Sequence, residues 1–271
     1  MLKINKYSLI KNAAVLGVAS LSLSLIATSS SFSDGHIYGE NNPVTVKGYK
    51  GSKTDSTAYT GQMARQLQHN SLKKIVSKGN PSDPTSNTLN KMLNYFENKD
   101  KTKSMAILDP KSSSKFPVKQ KMVGEISTGS NLAGKADGRV QQSWPNNMTG
   151  ADVIRFMIKK ASKISGGVDM KNGMNYPQLI SKYTMGAVLY HQACDNYLDE
   201  KMTASNKPND KPYKKGAYYT GKEHSWDEAF GYWGAAAHTM TLSAQQSYDV
   251  AKKKDLKAAD FNKDGVVDLY K

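Results

Sequence analysis

The residues with the most specific chemistry lie near the C-terminal end of the chain. Asp260-Phe261-Asn262-Lys263-Asp264-Gly265-Val266-Val267-Asp268 has the spacing of the first nine positions of a calcium loop. A hard cation takes six to eight oxygen ligands, and one tight turn can supply most of them. Asp260, Asn262 and Asp264 would offer side-chain oxygens at positions one, three and five, and Gly265 permits the sharp turn at six. Val266 would give its carbonyl at seven, and Asp268 stands at nine. Position twelve is Lys271 where a bidentate Glu is usual, so another carboxylate or a ligand beyond Lys271 must close the loop. Without that Glu, affinity falls in the extracellular class, on the order of 10⁻⁴ to 10⁻³ M, which suits a structural Ca²⁺ better than a signalling one. The alternative is an Asp/Asn/Gly turn with no ion.

A second group of candidate ligands sits on helices. His224 and Glu228 are at i and i+4, a spacing that can place two ligands on one iron or other transition-metal ion. His191 and Asp195 repeat that spacing on an earlier helix. Antiparallel packing of the two helices would bring His191 to His224 and Glu228. The alternative is that each pair is an intrahelical hydrogen bond or ion pair. His238, 14 residues from His224, is roughly 21 Å away along a helix and cannot share its ion. Catalytic signatures are missing: there is no Gly-x-Ser-x-Gly, no His-Glu-x-x-His and no phosphate-cradling glycine loop.

The elements that must position these residues read as helices. Thr60 suggests an N-cap for a helix from Gly61 to about Lys78, with Met63, Leu67, Leu72 and Ile75 on its apolar side. Ser86 precedes a second helix carrying Leu89, Met92, Leu93 and Phe96. Residues 98–147 show little periodicity and are expected to form short strands or to wrap the core. Thr149 caps a helix over 150–165, and Asn175 with Pro177 opens a longer one. In the latter Leu179, Tyr183, Gly186, Tyr190, Ala193 and Tyr197 follow a 4-3-4-3-4 spacing, the pattern of a packed bundle. Two more helices are expected, from about Lys222 to Thr239 and from Leu242 to about Ala259. In the first of these Trp226, Phe230 and Trp233 share a face expected to enter the core, opposite His224, Glu228 and Gly231.

The start of the chain has the form of a secretory signal. Lys3, Lys6 and Lys11 precede an apolar run from Ala13 to Ala27 and a small-residue tract from Thr28 to Ser33. The apolar run is shorter than the roughly 20 residues of a spanning helix. The expectation is a signal peptide over 1–33, an extended lead-in over 34–58 and one all-α domain over 59–271, in the periplasm or outside the cell. The formal charge of the 271-residue chain is +15, yet only Arg65, Arg139 and Arg155 are arginine, and 35 basic residues are lysine. A nucleic-acid binder would be expected to use more of the bidentate guanidinium fork. Cys194, the only cysteine, is expected to be a buried inert thiol. The mean hydropathy of −0.61 excludes a polytopic membrane protein.

Three stretches together resemble the domain of unknown function 4856 family: Glu223 to Gly234, Tyr59-Thr60-Gly61-Gln62 with Arg65, and Tyr176 to Tyr190. The resemblance spans about residues 44–271 and implies an exported bacterial helical protein, similar in style to the imelysins. It also implies a setting in iron uptake, with an outer-membrane uptake component as a partner. Imelysins carry Gly-x-His-x-x-Glu; the counterpart here is His224 with Asp227 or Glu228, without the glycine. Similar proteins continue past the acidic turn with more helix, so the chain is expected to extend beyond Lys271. The expected fold is an all-α, exported helical bundle with long irregular loops and a C-terminal EF-hand- or dockerin-like calcium loop. The expected function is a binding protein accessory to iron or other metal uptake. The alternatives are a calcium-stabilised interaction module with no transition metal, and an imelysin-like metallopeptidase.

Overall fold

Thr149 starts its helix as expected: its hydroxyl oxygen accepts from the Asp152 amide at 3.3 Å, and Asp152 Oδ2 accepts from the Thr149 amide at 3.1 Å. This reciprocal capping box satisfies two of the amides that a helix start leaves bare. The computed structural model describes residues 38, 42–83, 86–98, 122–126, 128–206, 209–233, 239, 241–252, 254–260, 263 and 265. The expected signal segment, 1–33, lies outside them. The chain is mostly helical. Its helices are α1 (Thr60–Val76), α2 (Asn87–Glu97), α3 (Gly150–Ser162), α4 (Tyr176–Thr184), α5 (Gly221–Trp233) and α6 (Ala244–Lys252). A two-residue antiparallel hairpin, β1 (Val168–Asp169) with β2 (Met174–Asn175), joins α3 to α4, pairing Val168 with Asn175.

The central element is α1, which packs against α2, α4 and α5. Met63, Ala64, Leu67, Leu72 and Val76 are buried on it, and so are Gln68, His69 and Ser71. A helix enclosed on several sides must satisfy its buried polar groups locally. Gln68 Nε2 donates to the Tyr95 carbonyl at 2.8 Å, Ser71 Oγ to the Leu67 carbonyl at 2.7 Å, and His69 Nε2 meets the Ser181 carbonyl at 3.0 Å. Between α2 and α3, Arg155 Nε reaches Glu97 Oε2 at 2.6 Å. Val123, Ile126 and Leu132 of the irregular stretch are buried, so the 122–149 region feeds the core as well as wrapping it.

Several boundaries differ from expectation for local reasons. Helix α1 begins at Thr60 itself, with Tyr59 at the cap position and no side-chain cap bond. Ser86 makes no side-chain cap bond either; Asp83 Oδ2 accepts from the Thr88 amide at 2.5 Å in its place. Ser243 and Gln246 form reciprocal bonds that start α6 at Ala244, and that helix ends at Lys252, followed by a short turn over Lys257–Ala259.

The largest difference lies after Thr184. Helix α4 continues without a break into π-helical turns over Met185–Glu200, closed by an i→i+5 bond from the Lys201 amide to the Asn196 carbonyl at 3.0 Å. The wider turn moves the buried stripe to Ile180, Thr184, Val188, Gln192 and Tyr197, while Leu179 and Tyr190 of the expected stripe are 39% and 61% exposed. The expected stripe therefore fails at Leu179 and Tyr190, while its last members, Ala193 and Tyr197, are buried. Cys194 on this segment is half-buried.

Candidate functional site

Helix α5 faces the opposite way from the expected one. Trp226 and Trp233 are 50% and 75% exposed, whereas Ser225, Asp227, Ala229, Gly231 and Tyr232 are buried. The small residues let α5 press against α1: a Cβ on Gly231 would stand 2.7 Å from Gln62 Cβ and 3.0 Å from Tyr59 Cβ. Only a glycine permits that approach without displacement. Phe230 remains partly buried and stacks on Tyr38, with ring centroids 3.6 Å apart.

Asp227 points inward at this contact. Its Oδ1 accepts from the Tyr38 hydroxyl at 2.5 Å and its Oδ2 from the Ala58 amide at 2.9 Å. Burial pushes its carboxyl up to about 7, and the two hydrogen bonds only partly offset that. Asp227 thus ties the lead-in and the start of α1 to the middle of α5.

Glu228 gathers a second set. Its Oε1 accepts from Gln62 Nε2 at 2.5 Å, its Oε2 lies 3.6 Å from His224 Nε2, and the Tyr197 hydroxyl bonds to it. Burial first, and then the Glu228 charge, raise the Tyr197 phenol above its ordinary range. The His224 ring packs between Tyr213 and Tyr219, at 4.6 and 4.7 Å between centroids. His224 and Glu228 are therefore an intrahelical pair within a packed polar network joining α1, α5 and the π-helical segment.

The other expected pair is somewhere else. His191 Nδ1 lies 3.0 Å from Asp195 Oδ2, and the third member of the cluster is Asp137, not His224 or Glu228. Among the described residues, Asp137, His191 and Asp195 form the group whose ligand atoms all lie within 4.8 Å of one another. The 4-residue set expected from antiparallel packing does not form, because α5 and the π-helical segment touch along other faces. Asp137 is held by its backbone: its amide donates to the Ala187 carbonyl at 2.7 Å, and its carbonyl accepts from the Gly150 amide at 2.9 Å.

Arg139 belongs to the same cluster. Its Nε donates to Asp137 Oδ1 at 2.9 Å and its Nη2 to Asp137 Oδ2 at 2.8 Å, while Nη2 also reaches Asp195 Oδ2 at 2.5 Å. These bonds lower the Asp137 carboxyl to about 2, and His191 with Arg139 holds Asp195 low as well. Sequence reasoning missed Asp137 and Arg139. The available signal was the rarity of arginine: each of the three is fixed by several acceptors, Arg65 by the Ser130 and Gly61 carbonyls, and Arg155 by Glu97 and Asp152.

Of the expected calcium ligands, Asn262, Asp264, Val266 and Asp268 lie outside the described residues. Within them, Gly265 takes a φ of +82°, and its amide donates across the turn to Asp260 Oδ2 at 3.1 Å.

The family model for Domain of unknown function (DUF4856) matches residues 40–266. The chain belongs to this family. No curated protein and no solved structure matches it. The DUF4856 match covers both the start of α1 and all of α5, the two segments that Gly231 and Asp227 lock together. Among the described residues of this DUF4856 chain, no helix is long and apolar enough to cross a membrane.

Proposed function

We propose that this protein is an exported binding protein that holds a divalent transition metal, iron among the candidates, and acts by binding rather than catalysis. The observation that carries it is the convergence of Asp137, His191 and Asp195, with one ligand atom from each within 4.8 Å of the others. Two carboxylates and one imidazole suit borderline divalent ions such as Fe²⁺, Mn²⁺ or Zn²⁺. His191 and Asp195 would be presented by one helix and Asp137 by a loop pinned to that helix. The Arg139 guanidinium supplies a positive charge to the same two carboxylates, so an incoming ion would have to displace it. Its side chain is 69% exposed and has room to swing into solvent. Export rests on the basic and apolar pattern of residues 1–33, and a role in metal uptake with an outer-membrane partner rests on the family resemblance.

A structural Ca²⁺ in the 260–268 loop is part of the same proposal. Its support is the ligand spacing together with the positive-φ Gly265 bonded back to Asp260.

A second reading is favoured by Arg139. Bidentate pairing to Asp137 and a further bond to Asp195 would make the cluster an ion-pair lock that fastens the 131–149 loop to the π-helical segment. Calorimetric titration with Fe²⁺, Mn²⁺ and Zn²⁺ separates the two. A metal site requires saturable binding near one ion per chain that His191→Ala removes. A lock gives no binding with either protein, and a loss of thermal stability in Arg139→Ala.

A further inference from the structure

A cleft of about 650 Å³ opens between α3, α4 and the β1–β2 hairpin, lined only by described residues. Its volume lies in the range of small-molecule sites, roughly 300–1,000 Å³. One wall is aromatic and fixed. Trp144 meets Phe156 and Tyr183 edge to face, at 5.9 and 6.2 Å between centroids, and the Tyr183 hydroxyl is anchored to Gln141 Oε1 at 2.9 Å. Met174 and Leu179, also in the lining, keep 40% and 39% of their surface in solvent. Singly exposed apolar side chains are ordinary. Two that share a cleft with an aromatic wall leave a continuous apolar lining for a ligand to cover.

The charges at the cleft are unequal. Lys160 in the last turn of α3 and Lys163 just after it both line the cleft, and Lys160 Nζ stands 5.4 Å from the centre of the Phe156 ring. Among the described residues neither ammonium pairs with a carboxylate. The lining also holds one acid, Asp169, whose carboxylate accepts from the Lys171 and Asn172 amides and from Asn172 Nδ2 at 2.8 Å; these bonds close the hairpin turn and hold the carboxyl ionised, so two lysines face one acid. The cleft therefore offers an apolar aromatic slot whose lining carries a net positive charge, two lysines against one carboxylate.

We propose that this cleft binds a small aromatic anion, its ring system against Trp144, Phe156 and Leu179 and its acidic group at Lys160 and Lys163. The site shares no lining residue with the Asp137 cluster and does not depend on any metal. A deep apolar slot without cations would take neutral ligands equally well, and a lysine cluster without the slot would take inorganic anions; the combination selects a molecule with both parts.

The test uses 1-anilinonaphthalene-8-sulfonate and its uncharged counterpart 1-N-phenylnaphthylamine, titrated by fluorescence into the folded full-length chain. The expected result is saturable binding of the sulfonate at one per chain. The double variant Lys160→Ala/Lys163→Ala should weaken it about tenfold or more while leaving the uncharged probe within about twofold. Leu179→Trp, which narrows the slot from an exposed position, should weaken both probes. Lys73→Ala/Lys182→Ala, at the groove between α1 and α4, should leave the sulfonate unchanged. Non-saturable binding, an unaltered affinity in the Lys160/Lys163 variant, or loss in the Lys73/Lys182 variant would overturn the proposal.

Discussion

The Tyr38 hydroxyl donates to Asp227 Oδ1 at 2.5 Å, across 189 residues of sequence, and so fastens the lead-in to the middle of α5. The same carboxylate takes the Ala58 amide just before α1, which makes Asp227 a joint for three segments.

That joint has a pH signature. Burial raises the Asp227 carboxyl to about 7 from an ordinary 3.8, so the folded protein retains a proton that the unfolded chain releases between these values. Stability from this group is complete below about pH 4, falls as pH rises toward 7, and changes no further above it. The loss is at most on the order of 4 kcal/mol. Denaturant melts at pH 5 and pH 8 should show Asp227→Asn flattening this slope and gaining most, relative to wild type, at pH 8. An unchanged slope would remove Asp227 as its source.

Gly231 sets the distance between α5 and α1. An alanine Cβ there would crowd Gln62 and Tyr59, and overpacking of this kind costs about 1–3 kcal/mol. Gly231→Ala should lower the melting temperature by several degrees, whereas an alanine at Trp226 on the exposed face should change it little.

How far the sequence carried depends on which physical signal each element used. Thr149, and Asn175 with Pro177, are local capping chemistry, and both helix starts formed where the sequence put them. The π-helical segment was hidden because its buried residues recur at about every fourth position, which a 3.6-residue period cannot follow. The face of α5 was misread for a different reason. Hydrophobicity favoured Trp226 and Trp233, but the buried face carries the small side chains of Ser225, Ala229 and Gly231, and Gly231 sets the close approach to α1. His191 and Asp195 were legible as an i, i+4 pair, while Asp137 reaches them only through tertiary folding.

The calcium loop gives a conditional prediction. Asp264→Ala should lower the melting temperature in millimolar Ca²⁺ and leave it unchanged in chelator. A decrease of equal size in both conditions would make the loop an ordinary turn.

Arg139 gives a prediction of opposite sign for the two readings of its cluster. If the guanidinium competes with an ion, Arg139→Ala should tighten Mn²⁺ or Zn²⁺ binding, by about tenfold for each 1.4 kcal/mol of competition removed. If it acts only as a lock, the same variant loses stability and gains no affinity.

The most direct measurement is elemental analysis of the protein purified without chelator or affinity metal, for wild type and His191→Ala in parallel. Iron, manganese or zinc near one per chain in wild type, absent from the variant, is the expected result. Calcium alone, or a transition metal retained equally by both proteins, would contradict the assignment of Asp137, His191 and Asp195 as its ligands.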